Sequence, residues 1–163
     1  ILKSNLAERL LLILNQHHIK PVQLRLEITE NTLLDDKNKA AKQLQALRSA
    51  GFKLLLDDFG TGYSSLTYLS QFPIDVIKID QSFVRNIGRD SNNESIIRTI
   101  HTLAENLNLY CIAEGVETIE QIRFLNSIGC DDLQGYYFAK PTTAEILISD
   151  AYIQALQEKL QTT

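Results

Sequence analysis

The chain has no excess of positive charge, no long apolar run and almost no cysteine. Its 16 Lys and Arg stand against 20 Asp and Glu, a net charge of −4. That balance argues against a protein that grips nucleic acid through its backbone phosphates. It leaves room for a small phosphorylated ligand held through a metal. No run approaches the roughly 18 apolar residues of a membrane span, and no signal peptide is recognisable. The chain opens Ile1-Leu2-Lys3 rather than with Met, which implies a piece of something longer. The expected location is the cytoplasm, with any membrane anchor lying upstream. The two cysteines, Cys111 and Cys130, sit in or beside apolar stretches and read as buried free thiols rather than a disulfide. Without a nearby His they do not make a zinc site. His17 and His18 close an apolar helix and His101 falls on a helix face, and none has the partners of a ligand.

What is present is a 163-residue chain, 44% apolar and 22% charged, the composition of one soluble globular domain. Apolar spacing predicts helices over 5–18, 37–50, 94–107 and 143–160. Thr118 and Gln121 form a capping box for another, running to about 128 and ended by Gly129. Strands are predicted over 23–28, 52–57, 75–79, 109–113 and 131–134, with a short helix or turn over 63–71. Strand and helix alternate, which implies an α/β fold with a parallel sheet and right-handed crossovers. There is no internal repeat and no interdomain linker.

The most informative segment is Lys53-Leu-Leu-Leu-Asp57-Asp58-Phe59-Gly60-Thr61-Gly62. It reads as a buried strand delivering two adjacent carboxylates to a glycine-rich turn. Adjacent acids repel unless both stay in water or a cation neutralises them. Hard oxygen donors at a strand tip suit Mg²⁺ or Mn²⁺. Asp and Gly are also ordinary turn residues, and on this segment alone the two readings stand level.

Other strands tip the balance. The first carries Glu27 and runs on to Glu30, the third carries Lys78 and Asp80, the fourth ends at Glu114, and the fifth ends at Gln134. Strand C-termini share one edge in any parallel α/β fold, and active sites are built there. In strand 23–28, Leu24, Leu26 and Ile28 share the phase that packs under helices, while Arg25 and Glu27 share the other. In 75–79, Val76 and Lys78 oppose Ile77 and Ile79. A charge on an inward phase is costly unless paired or metal-bound. Each acid alone has an ordinary explanation as a cap or salt-bridge partner. All of them together do not.

The residues then match a family. Leu26-Glu27-Ile28-Thr29-Glu30, Asp57-Asp58-Phe59-Gly60-Thr61-Gly62-Tyr63-Ser64-Ser65-Leu66, Ile77-Lys78-Ile79-Asp80-Gln81-Ser82-Phe83-Val84, Ala113-Glu114-Gly115-Val116-Glu117-Thr118 and Gln134-Gly135-Tyr136-Tyr137-Phe138-Ala139-Lys140-Pro141 occur in family order over nearly the whole chain. The chain resembles the EAL-domain phosphodiesterases that hydrolyse cyclic di-GMP. The resemblance implies a TIM-type (β/α)₈ barrel, here incomplete, with metals at the strand C-termini. It implies two divalent cations, Mg²⁺ or Mn²⁺, with Asp57 bridging them. Glu27 would ligate the first and Asp58 and Glu114 the second. Lys78 would position the attacking water, and Glu114 is also cast as general base. Glu30 would brace the 58–66 loop, and Gln134 would line the substrate site.

The Glu-Ala-Leu signature and the Asn-x-Ser strand after it, which normally supply first-metal ligands, are not in these residues. Residues 1–163 are therefore expected to be a single partial EAL domain without the N-terminal strands of the barrel, and inactive as a fragment. Such a fragment is expected to self-associate as a homo-oligomer. The parent is expected to carry an upstream sensory or GGDEF-type domain and to cleave cyclic di-GMP to linear pGpG. The alternative is a degenerate EAL domain that binds cyclic di-GMP or a protein partner without catalysis. A protein kinase is excluded because Asp58-Phe59-Gly60 comes without a His-Arg-Asp loop. A dinucleotide fold is excluded because 60–65 lacks a third glycine.

Overall fold

The computed structural model describes residues 5–60, 69 and 71–161. Five strands form one parallel sheet in sequential order: β1 (Arg25–Thr29), β2 (Lys53–Phe59), β3 (Val76–Ile79), β4 (Tyr110–Ala113) and β5 (Asp132–Leu133). Helices α1 (Leu6–Gln16), α2 (Glu30–Asp35), α3 (Lys37–Ser49), α4 (Gln81–Val84), α5 (Ser91–Asn106), α6 (Ile119–Ser127), α7 (Ala144–Leu147) and α8 (Asp150–Gln161) lie before, between and after them. Sequential parallel order with intervening helices is the winding of a (β/α) barrel, as expected.

The helices cover one face of the sheet with apolar residues at helical spacing. From α3 come Ala40, Leu44 and Leu47; from α5, Ile97, Ile100 and Ala104; from α6, Ile122 and Leu125. They meet Ile28, Leu54, Leu56, Ile77, Ile79 and Ala113, the outward phase of the strands. The opposite phase supplies a second, small apolar cluster of Leu55, Val76 and Ile112. Alternation of side chains across each strand thus separates a helix-side core from an inner layer. Lys78 shares the phase of Val76 and stands above that inner layer.

The strand limits differ from expectation in instructive ways. Residues 21–23 form a 3₁₀ turn, with the Gln23 side chain accepting from the Lys20 amide at 2.9 Å, so β1 starts at Arg25 and reaches Thr29. α2 and α4 have no sequence signature, because each is too short to display a helical period. Asp80 caps α4 by accepting from the Ser82 amide at 2.9 Å. α5 begins at Ser91, earlier than expected, because Asp90 caps it through the Asn92 amide. The last helix is two helices: the Ser149 hydroxyl and amide both donate to the Ile146 carbonyl and close the first. The expected turn over 63–71 lies almost wholly outside the described residues.

The main deviation is in β2. Leu56 pairs with Ile77 but Phe59 pairs with Ile79, so β2 holds one extra residue between these pairs. The extra residue falls at Asp57-Asp58, and Asp58 adopts φ 57°, a left-handed conformation that Asp tolerates better than most residues. This is a β-bulge, a device that redirects side chains beside functional sites. The strand therefore does not end at Asp57. It presents both acids from a distorted rung and continues to buried Phe59.

Two glycines hold the loops past β4 and β5 against their neighbours. A Cβ on Gly115, which has φ +70°, would lie 2.5 Å from the Cβ of Gln81, and one on Gly135 would collide with the Val116 backbone. Gly135→Ala should lower domain stability by more than about 2 kcal/mol, since backbone cannot move aside as a flexible side chain can. Gly88→Ala, which meets nothing within 4 Å, should cost only about 1 kcal/mol of backbone strain. Urea midpoints of the two variants check this ordering.

Candidate active site

The C-terminal edge of the sheet carries one cation and a ring of acids. The ammonium of Lys78, on a fully buried β3, lies 2.7 Å from Glu27 Oε1, 3.1 Å from Asp57 Oδ1 and 2.7 Å from Glu114 Oε1. Three acids from β1, β2 and the end of β4 thus meet on a side chain that is 4% exposed. Their own exposures are 49%, 21% and 17% for Glu27, Asp57 and Glu114, so the ring opens to solvent on the Glu27 side.

Burial alone would push the Lys78 ammonium toward its neutral form. The contacts to Glu114, Glu27 and Asp57 outweigh it, and the lysine stays charged well above its ordinary range. Glu114 is held above the usual carboxylate range, first by burial and then by the nearby Asp57 and Glu27, against the pull of Lys78. Asp58 is exposed and its carboxyl is also raised, by slight burial and then by Asp57, Asp80 and Glu27. Its amide donates to Asp57 Oδ1 at 3.1 Å, which turns the Asp57 carboxylate back over the bulge.

The donor set fits a hard divalent cation in chemistry and charge. Glu27, Asp57, Asp58 and Glu114 offer only oxygen, and three of them pair with the Lys78 ammonium. Burial first, and the neighbouring acids after it, raise the carboxyls of Asp58 and Glu114, and hard oxygen donors of this kind suit a divalent cation. The side chains are not arranged round an ion: among the described residues no three His, Cys, Asp or Glu groups form a metal-holding cluster. The acids of β1, β2 and β4 close on Lys78 instead.

The structure brings together Glu27, Asp57, Lys78 and Glu114, with Asp58 beside them. Gln134 stands apart from the ion pairs. It lines an adjoining cleft of about 250 Å³ with Glu114, Glu117, Gln81, Arg85 and Tyr136. Arg85 is steadied there by donating to Gln81 Oε1 at 2.8 Å. Glu30 is buried at the start of α2, and most of the loop it was expected to brace lies outside the described residues. Sequence reading missed Gln81, Arg85 and Tyr136 as cleft residues. Their only signal was adjacency to Lys78, Asp80 and Gln134, since a short helix and a turn carry no periodicity.

With this arrangement in view, the comparisons define the chain. The geometry is that of a parallel α/β barrel-type domain with an acidic site at the strand C-termini. The EAL domain model matches residues 1–141, and the chain belongs to the EAL domain family. It is 41% identical over 134 residues to the bifunctional diguanylate cyclase/cyclic di-GMP phosphodiesterase MucR of Pseudomonas aeruginosa, covering 82% of this chain and 20% of MucR. It is 42% identical over 132 residues to the cyclic di-GMP phosphodiesterase PdeR of Escherichia coli, covering 81% of this chain and 20% of PdeR. The chain therefore spans about a fifth of the length of these relatives. Among solved structures, the PaMucR phosphodiesterase–c-di-GMP complex superposes with a TM-score of 0.85 at 39% identity, covering 89% of this chain and 59% of that one. A manganese/cyclic di-GMP complex of BlrP1 from Klebsiella pneumoniae superposes with a TM-score of 0.80 at 36% identity, covering 85% of this chain and 36% of that one.

The buried ammonium sets a pH signature. A group raised on folding stabilises the fold while protonated. Lys78 therefore contributes throughout the neutral range and is lost only in strong alkali. Glu114 destabilises progressively as pH rises through its raised value. Lys78→Met should cost about 2–3 kcal/mol at pH 7. That is less than the ~3–5 of a fully buried pair, because Glu27 remains hydrated. The deficit against the native chain should shrink as pH falls from 7 to 5 and the stranded carboxyls take up protons. Urea unfolding of both chains at the two pH values measures it, and a deficit that grows on acidification contradicts the pairing.

Proposed function

We propose that this chain is the greater part of a metal-dependent phosphodiesterase site that, in the intact protein, opens cyclic di-GMP to linear pGpG. One observation carries the reading: three strands deliver Glu27, Asp57 and Glu114 to the buried ammonium of Lys78 at the edge where barrel enzymes place their chemistry. The names of the relatives support the substrate, and the manganese in the BlrP1 complex supports a divalent cation.

In this reading Glu27 and Asp57 would hold a first Mg²⁺ or Mn²⁺, and Asp57, Asp58 and Glu114 would hold a second. When bound, such cations supply Lewis-acid charge that offsets the phosphate and favours deprotonation of water. The chain's own groups do the rest. Glu114, 2.7 Å from the Lys78 ammonium and only 17% exposed, would take a proton from the attacking water. Lys78 donates along the same edge and holds that water and the acids in register. Gln134 lines the cleft beside Glu114 and positions the substrate. Glu30 braces the loop that follows Asp58. In the isolated chain, the open edge of β1 favours pairing with a second copy.

A second reading is a module that binds cyclic di-GMP without cleaving it. It draws on the acids closing on Lys78 rather than standing apart. Turnover decides between them. In the intact parent, Asp57→Ala should abolish manganese-dependent release of pGpG, a loss of at least about a thousandfold, as one residue serves both cations. Near-normal turnover in that variant removes the enzyme assignment. The 163-residue chain assayed alone should give little or no pGpG. Calorimetric binding of cyclic di-GMP with no turnover in the intact parent would establish the second reading.

A further inference from the structure

The Glu114-bearing segment and the Lys78-bearing segment meet at a buried amide. Gln121, on the first turn of α6, is 6% exposed and is one of few buried polar side chains among the described residues. Its Oε1 accepts from the Glu117 amide at 2.7 Å and the Thr118 amide at 3.0 Å. Its Nε2 donates to the Val84 carbonyl at 3.2 Å, a contact that spans 37 positions of sequence. Val84 ends α4, the short helix that follows β3 and Lys78. Glu117 and Thr118 end the loop that begins at Glu114.

A capping box needs only half of this. Oε1 reaching back to the Thr118 amide, with the Thr118 hydroxyl accepting from the Gln121 amide at 3.3 Å, completes the cap of α6. A Glu would serve that role as well as a Gln. The Nε2 bond to Val84 lies outside the cap, and an amide can accept on one side and donate on the other where a carboxylate can only accept. The same loop is tied to β5 by the Val116 amide donating to the Gln134 carbonyl at 3.1 Å. Gly115 allows close contact with Gln81. Glu114 itself is tied to β3 by its amide, which donates to the Ile79 carbonyl at 3.1 Å, and Gln121 adds a tie from the rest of the loop to the helix that follows Lys78. Arg85, next to Val84, and Glu117 face the cleft on either side of this seam.

We propose that Gln121 is a positioning residue: its side-chain amide ties the loop that follows Glu114 to the helix after Lys78, and so holds the floor of the cleft and steadies the Glu114 carboxylate that the β3–β4 ladder has brought beside Lys78. The inference rests on the phosphodiesterase reading for its consequence in turnover. Its structural content is independent of that reading.

The test uses the intact parent with Mn²⁺ and cyclic di-GMP, and three variants. Gln121→Glu keeps both backbone acceptor contacts but places a carboxylate oxygen against the Val84 carbonyl. Gln121→Asn is neutral but one methylene too short to span the seam. Thr118→Ala removes the cap hydroxyl and leaves the amide bridge. Both Gln121 variants should lower kcat at least tenfold with KM changed less than about threefold. Thr118→Ala should lower the unfolding midpoint and leave kcat within about twofold. Hydrogen exchange on the 163-residue chain should show the Glu114 and Val116 amides losing protection at least tenfold in both Gln121 variants, with the centre of α6 unchanged. Native-like kcat and native-like protection in either folded Gln121 variant would overturn the proposal, as would equal loss of kcat in Thr118→Ala. If the native parent shows no turnover, the phosphodiesterase reading fails, and exchange at Glu114 and Val116 still decides the role of Gln121.

Discussion

The buried ammonium of Lys78 is the constraint on which the site depends. An unpaired charge on the inner phase of a central strand would be costly to bury. Three carboxylates from three other segments remove most of that cost, and in doing so they are held within about 3 Å of one point. The acids in turn could not approach one another without it. Each group therefore makes the position of the others tolerable. Interlocked pairs of this kind are lost together when one member is removed.

What surrounds the ammonium keeps it in place. Leu55, Val76 and Ile112 form a dry layer immediately beneath, so the lysine can extend only toward the strand C-termini. The bulge in β2 gives the strand one extra residue where it passes Lys78, which brings Asp57 over the ring and leaves Asp58 exposed beside it. The price of a left-handed Asp58 is offset by its amide bond to Asp57. The loops beyond are locked more by absence of side chain than by contact. Gly115 and Gly135 permit approaches that a single methyl would prevent, and Gln121 closes the seam between them and α4.

A site so built has two states in its chemistry. With Lys78 paired to Glu27, Asp57 and Glu114, the carboxyls of Asp58 and Glu114 are raised first by burial and then by the surplus of acids around them. A divalent cation would relieve the same surplus, in competition with the ammonium for Glu27, Asp57 and Glu114. The tension between internal and external cation gives a physical reason for placing a lysine, rather than an apolar residue, at the centre of an acidic edge.

The sequence by itself determined the class of fold and most of the acidic ring. Alternation in β1 and β3 identified Glu27 and Lys78 as inward, because the period of two is a property of any extended strand and needs no partner. Strand ends identified Asp57 and Glu114, because parallel strands separated by helices must all finish on one edge. The five ordered motifs were enough to point to the EAL family. Only tertiary structure decided the rest. The bulge depends on pairing between β2 and β3, and a one-residue offset is invisible until both strands are in register. The short helix α4 owes its form to its Asp80 cap and α2 to packing on its neighbours, rather than to a period of their own. Gln121 read as half of a local capping box. Its second bond reaches a carbonyl 37 positions away, and no local pattern can announce a partner that distant.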